Sequence, residues 1–432
     1  MTAERKAAER RVGWARWWAR AKQVVTTDPS PSDDDDLVVD EEAARALAAQ
    51  AGRLKGGLAK VAQLAAYTPG NSVARRALGG LWDRAPAESA AAIARVVEQE
   101  LGAPPQRLFA SWDATPIAAA SLGQVHAATL EDGTSVVVKV QYPGVAEALR
   151  TDLDDVGFVR KLAGSDVGRS LDDEALAVLG AAVRGELDYR AEAAAQTAFA
   201  EAWAGDAALR VPTVIADRSA GRVLTMTRAK GRTVVDVAAT GDVELRRQAA
   251  LAIYRFAWGS PLRFGRFNAD PNPGNFLIDV EADGHALVWA LDFGCSVELA
   301  DDSRDADREL WWALVDSDAE SAAERFRMGI ARSGMLAQTS TLATTAHRDW
   351  ERALATPLAS AGDFRWDDAY AAELARSTAA ALGAGGIRLP ASSVMLWRQR
   401  VGAAAVIGML DAAAPFKCTL LDMIGTGRKA LW

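Results

Sequence analysis

Asp270, Asn275 and Asp292, all between Phe264 and Cys295, are of types that hold a hard cation. Mg²⁺ takes few protein oxygens and completes its shell with phosphate and water, so two oxygen donors and a further acid suit a magnesium–phosphate site. The elements that must position them can be read from the pattern. Phe276–Val280 and Ala286–Leu291 are apolar runs separated by Asp283-Gly284. Asp-Gly between such runs signals a hairpin closed by a two-residue type I′ turn. With that pair as the loop, pairing outward sets Asn275 opposite Asp292, with Cβ atoms roughly 5 Å apart. Asp270 precedes Asn275 by five residues, in a segment stiffened by Pro271 and Pro273 with Gly274 beside them. The competing interpretation is a polar loop beside an ordinary hairpin.

A second hairpin has the same turn chemistry. Gln124–Leu130 and Ser135–Gln141 flank Asp132-Gly133. Val136, Val138 and Val140 share one face of the second strand, and Val137, Lys139 and Gln141 the other. A lysine embedded in such a run needs an anionic partner, phosphate or carboxylate, because an unpaired buried charge costs several kcal/mol. On an edge strand it would instead snorkel to water. Counting through a two-residue turn makes His126 its cross-strand neighbour. Upstream, Pro116-Ile-Ala-Ala-Ala-Ser-Leu-Gly123 stands where a glycine-rich phosphate loop would enter the hairpin. Alanine resists φ > 0, so this loop should be stiff, with Gly123 alone permissive.

Asp172–Trp203 reads as helix. There Asp188 and Glu192 share a face four residues apart, while Glu186 can pair with Arg190. Glu192 is the candidate partner for Lys139. Val211–Ile215 and Arg222–Thr227 read as strands, and most of the chain after Val243 as helix. Trp311, Trp312, Phe326, Met328 and Trp397 read as core.

Composition narrows the class. The 432 residues are half hydrophobic, enough for two or three domains, and a net charge of −8 argues against a general nucleic-acid binder. Two cysteines exclude a disulfide framework, so a reducing, cytosolic setting fits. No apolar run approaches bilayer-spanning length. Residues 3–23 form a basic pattern with Trp14, Trp17 and Trp18 at helical spacing, suited either to an anionic membrane surface or to packing on the chain's own domain. An acidic linker follows, to residue 36. Helical periodicity resumes from Glu41 to Leu101, with Lys60 and Gln63 on one polar face.

An embedded strand lysine, a helix glutamate, Asp270 with Asn275 five residues on, and Asp292-Phe293-Gly294 after a hairpin resemble, in order, the protein-kinase-like fold. PIAAASLGQVHAA, VVVKVQYPG, ELDYRAEA, ADPNPGN and LDFG are more specifically similar to the UbiB/ADCK (AarF-type) atypical kinase-like family. The resemblance implies an α+β bilobal fold with a small β-rich N-lobe, a mostly helical C-lobe and an N-terminal helical extension. It implies that Ala118, Ala119, Ala120 and Ser121 replace the glycine-rich loop. Lys139 is then the nucleotide-orienting lysine with Glu192 its glutamate, and Asp270 the catalytic-loop acid. Asn275 and Asp292 become the metal ligands. Glu186 and Asp188 match an acidic pair that engages a Lys-x-Gly-Gln segment of the extension.

Two positions depart from that pattern. Lys60-Val61-Ala62-Gln63 carries alanine for the signature glycine, and Asn268 stands where a histidine is usual. The divisions expected are 1–36 for the basic helix and linker, 37–105 for the extension, 106–231 for the N-lobe with a helical insert, and 232–432 for the C-lobe. The implied cofactors are ATP or ADP with Mg²⁺. The implied activity is an ATPase or small-molecule- or lipid-coupled phosphotransferase, with isoprenoid or quinone-like lipid and an anionic membrane surface as candidate partners. A nucleotide-binding pseudokinase scaffold and an aminoglycoside-kinase-like phosphotransferase are the alternatives.

Overall fold

The computed structural model describes residues 88–120, 122–146, 185–315, 319–336, 342–359 and 362–425. The basic N-terminal segment, the acidic linker, Lys60, Gln63 and Ser121 lie outside them. The described residues form two units. Those up to 146, with Glu186–Arg190 and Ile215–Thr227, make the first, and the others make the second.

The first unit is an antiparallel sheet of β1 (Ser111–Ala120), β2 (Gly123–Thr129), β3 (Ser135–Gln141) and β4 (Val223–Thr227), in the order β1-β2-β3-β4. Val136, Val138 and Val140 are wholly buried, each contributing about 1.5–3 kcal/mol. Lys139 pairs with Val125 on one side and Leu224 on the other, so β3 is an interior strand and the edge-strand reading of the lysine fails. Helix α1 (Ala90–Leu101) is tied to the sheet by Glu100, whose carboxylate accepts from Arg222 Nε at 2.8 Å.

The β2–β3 turn differs from expectation. Leu130 N–H donates to Thr134 O, Gly133 N–H donates to Leu130 O, and Gly133 has φ +86°. The loop is therefore three residues long with a left-handed glycine at its end. Pairing slips by one, and His126 faces Val138 instead of Lys139. The alanine-rich stretch also differs. Ala118, Ala119 and Ala120 lie in β1, opposite Val125, Gln124 and Gly123, so they form a strand and not a loop. Gly123 has no positive φ; it is glycine because a Cβ there would sit 2.2 Å from Val140 O.

His126 is fully buried, stacked on Trp112 with centroids 4.8 Å apart. Its Nδ1 lies 2.8 Å from Asp113 O and its Nε2 lies 2.9 Å from Gln124 Nε2. Gln124 Oε1 accepts Glu88 N–H, which assigns its NH₂ to the imidazole, so Nε2 accepts and Nδ1 donates. Burial pushes the imidazole below its ordinary 6.5, against the opposite pull of the Asp113 carbonyl. The unfolded chain then takes up a proton near pH 6.5 that the folded chain refuses. His126 thus stabilises the fold fully above that pH, and the contribution falls as pH drops toward the folded-state value. A denaturant midpoint that declines from about pH 7.5 to about 5.5, with the His126 ring still neutral at about pH 6.5 by NMR, is the expected result. A ring already half protonated there contradicts it.

The second unit is mainly helical. Its major helices are α2 (Tyr189–Ala202), α3 (Val243–Tyr254), α4 (Asp301–Val315), α5 (Asp368–Gly383) and α6 (Ala391–Leu410), the first two residues of α2 belonging to the first unit. Tyr254, Trp258, Trp366 and Phe416 form a buried aromatic cluster. Trp311, Phe326 and Trp397 are core as expected, while Trp312 and Met328 are only half-buried. The strands are β5 (Arg266–Asn268), β6 (Phe276–Val280), β7 (Ala286–Ala290) and β8 (Ser296–Glu298). β6 and β7 form the hairpin, flanked by the two-residue strands Leu209–Arg210 and Arg232–Thr233, and β5 pairs with β8. The strand expected over Val211–Ile215 shrinks to a single bridge residue at Val214 beside the Ile215 N–H bond to Thr225 O, while the pairing with β7 ends at Arg210. Among the described residues no helix is long and apolar enough to cross a membrane.

Candidate active site

The β6–β7 hairpin positions the acidic residues, and its register corrects the expected geometry. Glu281 N–H donates to His285 O and Gly284 has φ +86°, the same three-residue loop as in the first unit. Phe276 therefore pairs with Ala290, and Leu291 N–H donates to Asn275 O at 2.8 Å. Asn275 faces Leu291, one residue short of Asp292. Its side chain turns to Asp270 instead, Nδ2 donating to Asp270 O at 3.0 Å and to Oδ2 at 3.3 Å. The 3₁₀ turn Pro273–Asn275 makes this possible. Asn272 Oδ1 accepts Gly274 N–H, and two prolines fix φ around it.

Asn268, at the end of β5, links the two acidic segments. Its Oδ1 accepts Asp270 N–H at 3.1 Å and its Nδ2 donates to Asp292 O at 2.6 Å. The residue that departs from the histidine pattern thus braces both Asp270 and Asp292. Asp292 takes φ +56°, the left-handed region, and its Oδ1 accepts Gly294 N–H at 3.2 Å. Phe293 anchors the turn. Its ring is buried 4.9 Å from Phe199 of α2, and its N–H donates to Glu192 Oε1 at 3.3 Å. Glu192, in the first turn of α2, is itself buried.

Asp270 is 4% exposed and ion-paired to Arg398 of α6, Nη2 to Oδ1 at 3.5 Å. Arg398 Nη1 also donates to Ala269 O. Spacing and motif do not single out Arg398 in the sequence. The signal was its place in the apolar run Val394–Ile407, where an arginine must find a partner.

In the first unit Lys139 is 9% exposed, with Nζ 5.1 Å from the centre of the buried Tyr189 ring, a cation–π distance. Gln141, on the same face, donates to Leu187 O at 2.8 Å. Glu186 lies in a turn ahead of α2 and is buried. Asp188 is exposed and caps the helix, Oδ1 accepting Arg190 N–H at 3.0 Å. Asp188 therefore stands outside the helix, and the shared helical face expected with Glu192 does not form. Lys139 belongs to the first unit and Glu192 to the second.

The donor set fits Mg²⁺. The amide orientation that serves Asp270 commits Nδ2 of Asn275 and leaves Oδ1 as a hard oxygen donor, with the Asp292 carboxylate as a second. Among the described residues no three His, Cys, Asp or Glu side chains cluster as a metal cage. A phosphate-completed Mg²⁺ site needs none.

Residues 80–326 match the ABC1 atypical kinase-like domain, more than half of the chain, and the protein belongs to that family. The rat mitochondrial atypical kinase COQ8B is 35% identical over 231 residues, 54% of this chain and 43% of its own. An uncharacterized protein of Mycobacterium tuberculosis H37Rv is 32% identical over 358 residues, 79% of this chain and 69% of its own. The chain thus spans less than half the length of the rat relative. Among solved structures, the Rv3197–erythromycin complex from M. tuberculosis superposes with a TM-score of 0.62 at 27% identity, over 89% of this chain and 96% of that one. The kinship to UbiB/ADCK proteins and the α+β bilobal kinase-like fold expected from the sequence both hold.

Proposed function

We propose that the chain binds ATP or ADP with Mg²⁺ and acts as an ATPase or as a phosphotransferase coupled to a small molecule or lipid of the isoprenoid-quinone type. The observation that carries this reading is the brace made by one amide, Asn268, between Asp270 and Asp292, with Asn275 bonded to Asp270. A carboxylate acid and two oxygen donors held by backbone bonds need little reorganisation to receive a charged ligand. A magnesium ion bound there would supply the charge that offsets that of phosphate oxygens. In this reading Asn275 and Asp292 would hold the ion, Lys139 supplies a positive charge to phosphate, and Glu192 retains the Phe293 amide beside Asp292. Asp270 accepts a proton or orients a water. Ala118, Ala119, Ala120 and Ser121 border the nucleotide. Lys60, Gln63, Glu186 and Asp188 form a regulatory contact, and the membrane-surface role of the basic N-terminal segment belongs to the same proposal.

Thermal melting of the full chain with ADP or ATP, with and without Mg²⁺, and with quinone-like lipid tests it. A nucleotide at a hundredfold excess over its Kd stabilises by about 2.7 kcal/mol, a rise of several degrees that disappears with a chelator. No shift with any nucleotide overturns the reading. A shift without turnover transfers support to the pseudokinase scaffold.

A further inference from the structure

Helix α6 lies wholly beyond the residues that match the family domain, yet it reaches the acid at the centre of the site. We infer that Arg398 is a positioning residue for Asp270, and that α6 is the element that holds the Ala269–Pro271 backbone in place. The inference rests on the magnesium-nucleotide reading only where turnover is concerned.

Three observations converge. Arg398 is 5% exposed, and its guanidinium spans two acceptors on consecutive residues, the Ala269 carbonyl and the Asp270 carboxylate. Asp270 is therefore held from both sides, Oδ1 by Arg398 and Oδ2 by Asn275. One turn further along α6, Gly402 has no room for a side chain, since a Cβ would fall 2.1 Å from Pro271 Cγ. Met395 and Leu396 complete the seat, packing in one buried cluster with Phe267, Ala269 and Cys295. The helix thus grips three consecutive loop residues through a carbonyl, a carboxylate and a ring.

Energetics favour a geometric role over a stabilising one. Arg398 Nε has no hydrogen-bond partner within the protein. A buried ion pair is a poor source of net stability compared with apolar side chains of the same volume. What arginine supplies is a planar fork that can fix two acceptors at once, which an ammonium cannot reproduce. Arg400 shows the contrasting use on the same helix. It pairs with Asp307 at 2.7 Å and lies within cation–π distance of the Trp311 and Trp397 rings.

The test uses full-length Arg398→Met, Arg398→Lys, Asp270→Asn and the Arg398→Met/Asp270→Asn double variant. In denaturant unfolding the two single effects should be non-additive by at least ~tenfold in the folding constant, as for residues in direct contact. Hydrogen exchange of the peptide covering 268–275 should quicken in both Arg398→Met and Arg398→Lys, because lysine restores the charge without the fork. With Mg-ATP, kcat should fall by about 10²-fold in Arg398→Met while KM stays within about threefold, the pattern of a misplaced acid. Additive stabilities with unchanged exchange overturn the inference, as does a raised KM with kcat intact, which would make Arg398 a nucleotide contact. If Arg398→Met does not fold, Arg398→Lys carries the exchange measurement. A wild type without turnover removes the nucleotide reading and leaves the stability cycle and the exchange as the test of Arg398.

Discussion

Asp292→Asn should abolish Mg-dependent nucleotide turnover, by about 10²-fold or more, while leaving the melting temperature near that of the wild type. The separation of the two effects follows from the backbone. Asp292 sits at φ +56°, a conformation that asparagine tolerates as well as aspartate does. The amide keeps an oxygen for Gly294 N–H, and the Asp292 carbonyl still accepts from Asn268. The negative charge and one acceptor oxygen are lost, and the charge is what the proposed role in holding Mg²⁺ requires. Steady-state turnover and melting curves of the two proteins side by side measure both quantities. Equal turnover would sink the assignment of Asp292 as a metal ligand.

The largest effect on stability is expected at Gly123. A Cβ there would lie 2.2 Å from Val140 O, and both atoms belong to paired strands that cannot yield without breaking the ladder. Gly123→Ala should cost about 3 kcal/mol or more, the upper range for overpacking. Gly133, in the turn of the same hairpin, gives the contrast. It has φ +86° and open space around its Cβ position, so Gly133→Ala carries only the strain of a left-handed alanine, about 1 kcal/mol. Denaturant unfolding of the two variants separates steric from conformational causes. Equal costs would show that the close approach to Val140 is relieved by strand movement.

These glycines also indicate how far the sequence could be read. Asp-Gly correctly announced both hairpins, yet both registers were wrong by one residue and for one reason. The dipeptide serves equally as a whole two-residue turn or as the last two residues of a three-residue loop ending in a left-handed glycine. The local pattern does not separate the two, and the side-chain bonds from Asp132 to Thr134 N–H and from Asp283 to His285 N–H appear only in the folded loop. The error moved Asn275 from opposite Asp292 to opposite Leu291, but Asn275 and Asp270 meet within their own short loop. Their five-residue spacing was therefore a sounder guide than the hairpin count. Lys139 was legible as an embedded charge. Its interior position was not, because β4, which covers the far side of β3, comes more than eighty residues later in the chain. Arg398 was harder still, lying 128 residues from Asp270 with no shared periodicity to connect them. Asp188 misled in the opposite direction. Its spacing from Glu192 suited a helix, while its chemistry suited a cap, and the cap prevailed.

The left-handed backbone at Asp292 sets chemistry against folding. Glycine would occupy that conformation without the strain of roughly 1 kcal/mol that an L-residue bears there. A library selected for thermal resistance alone should therefore admit glycine or asparagine at position 292, and one selected for the proposed nucleotide turnover should hold aspartate.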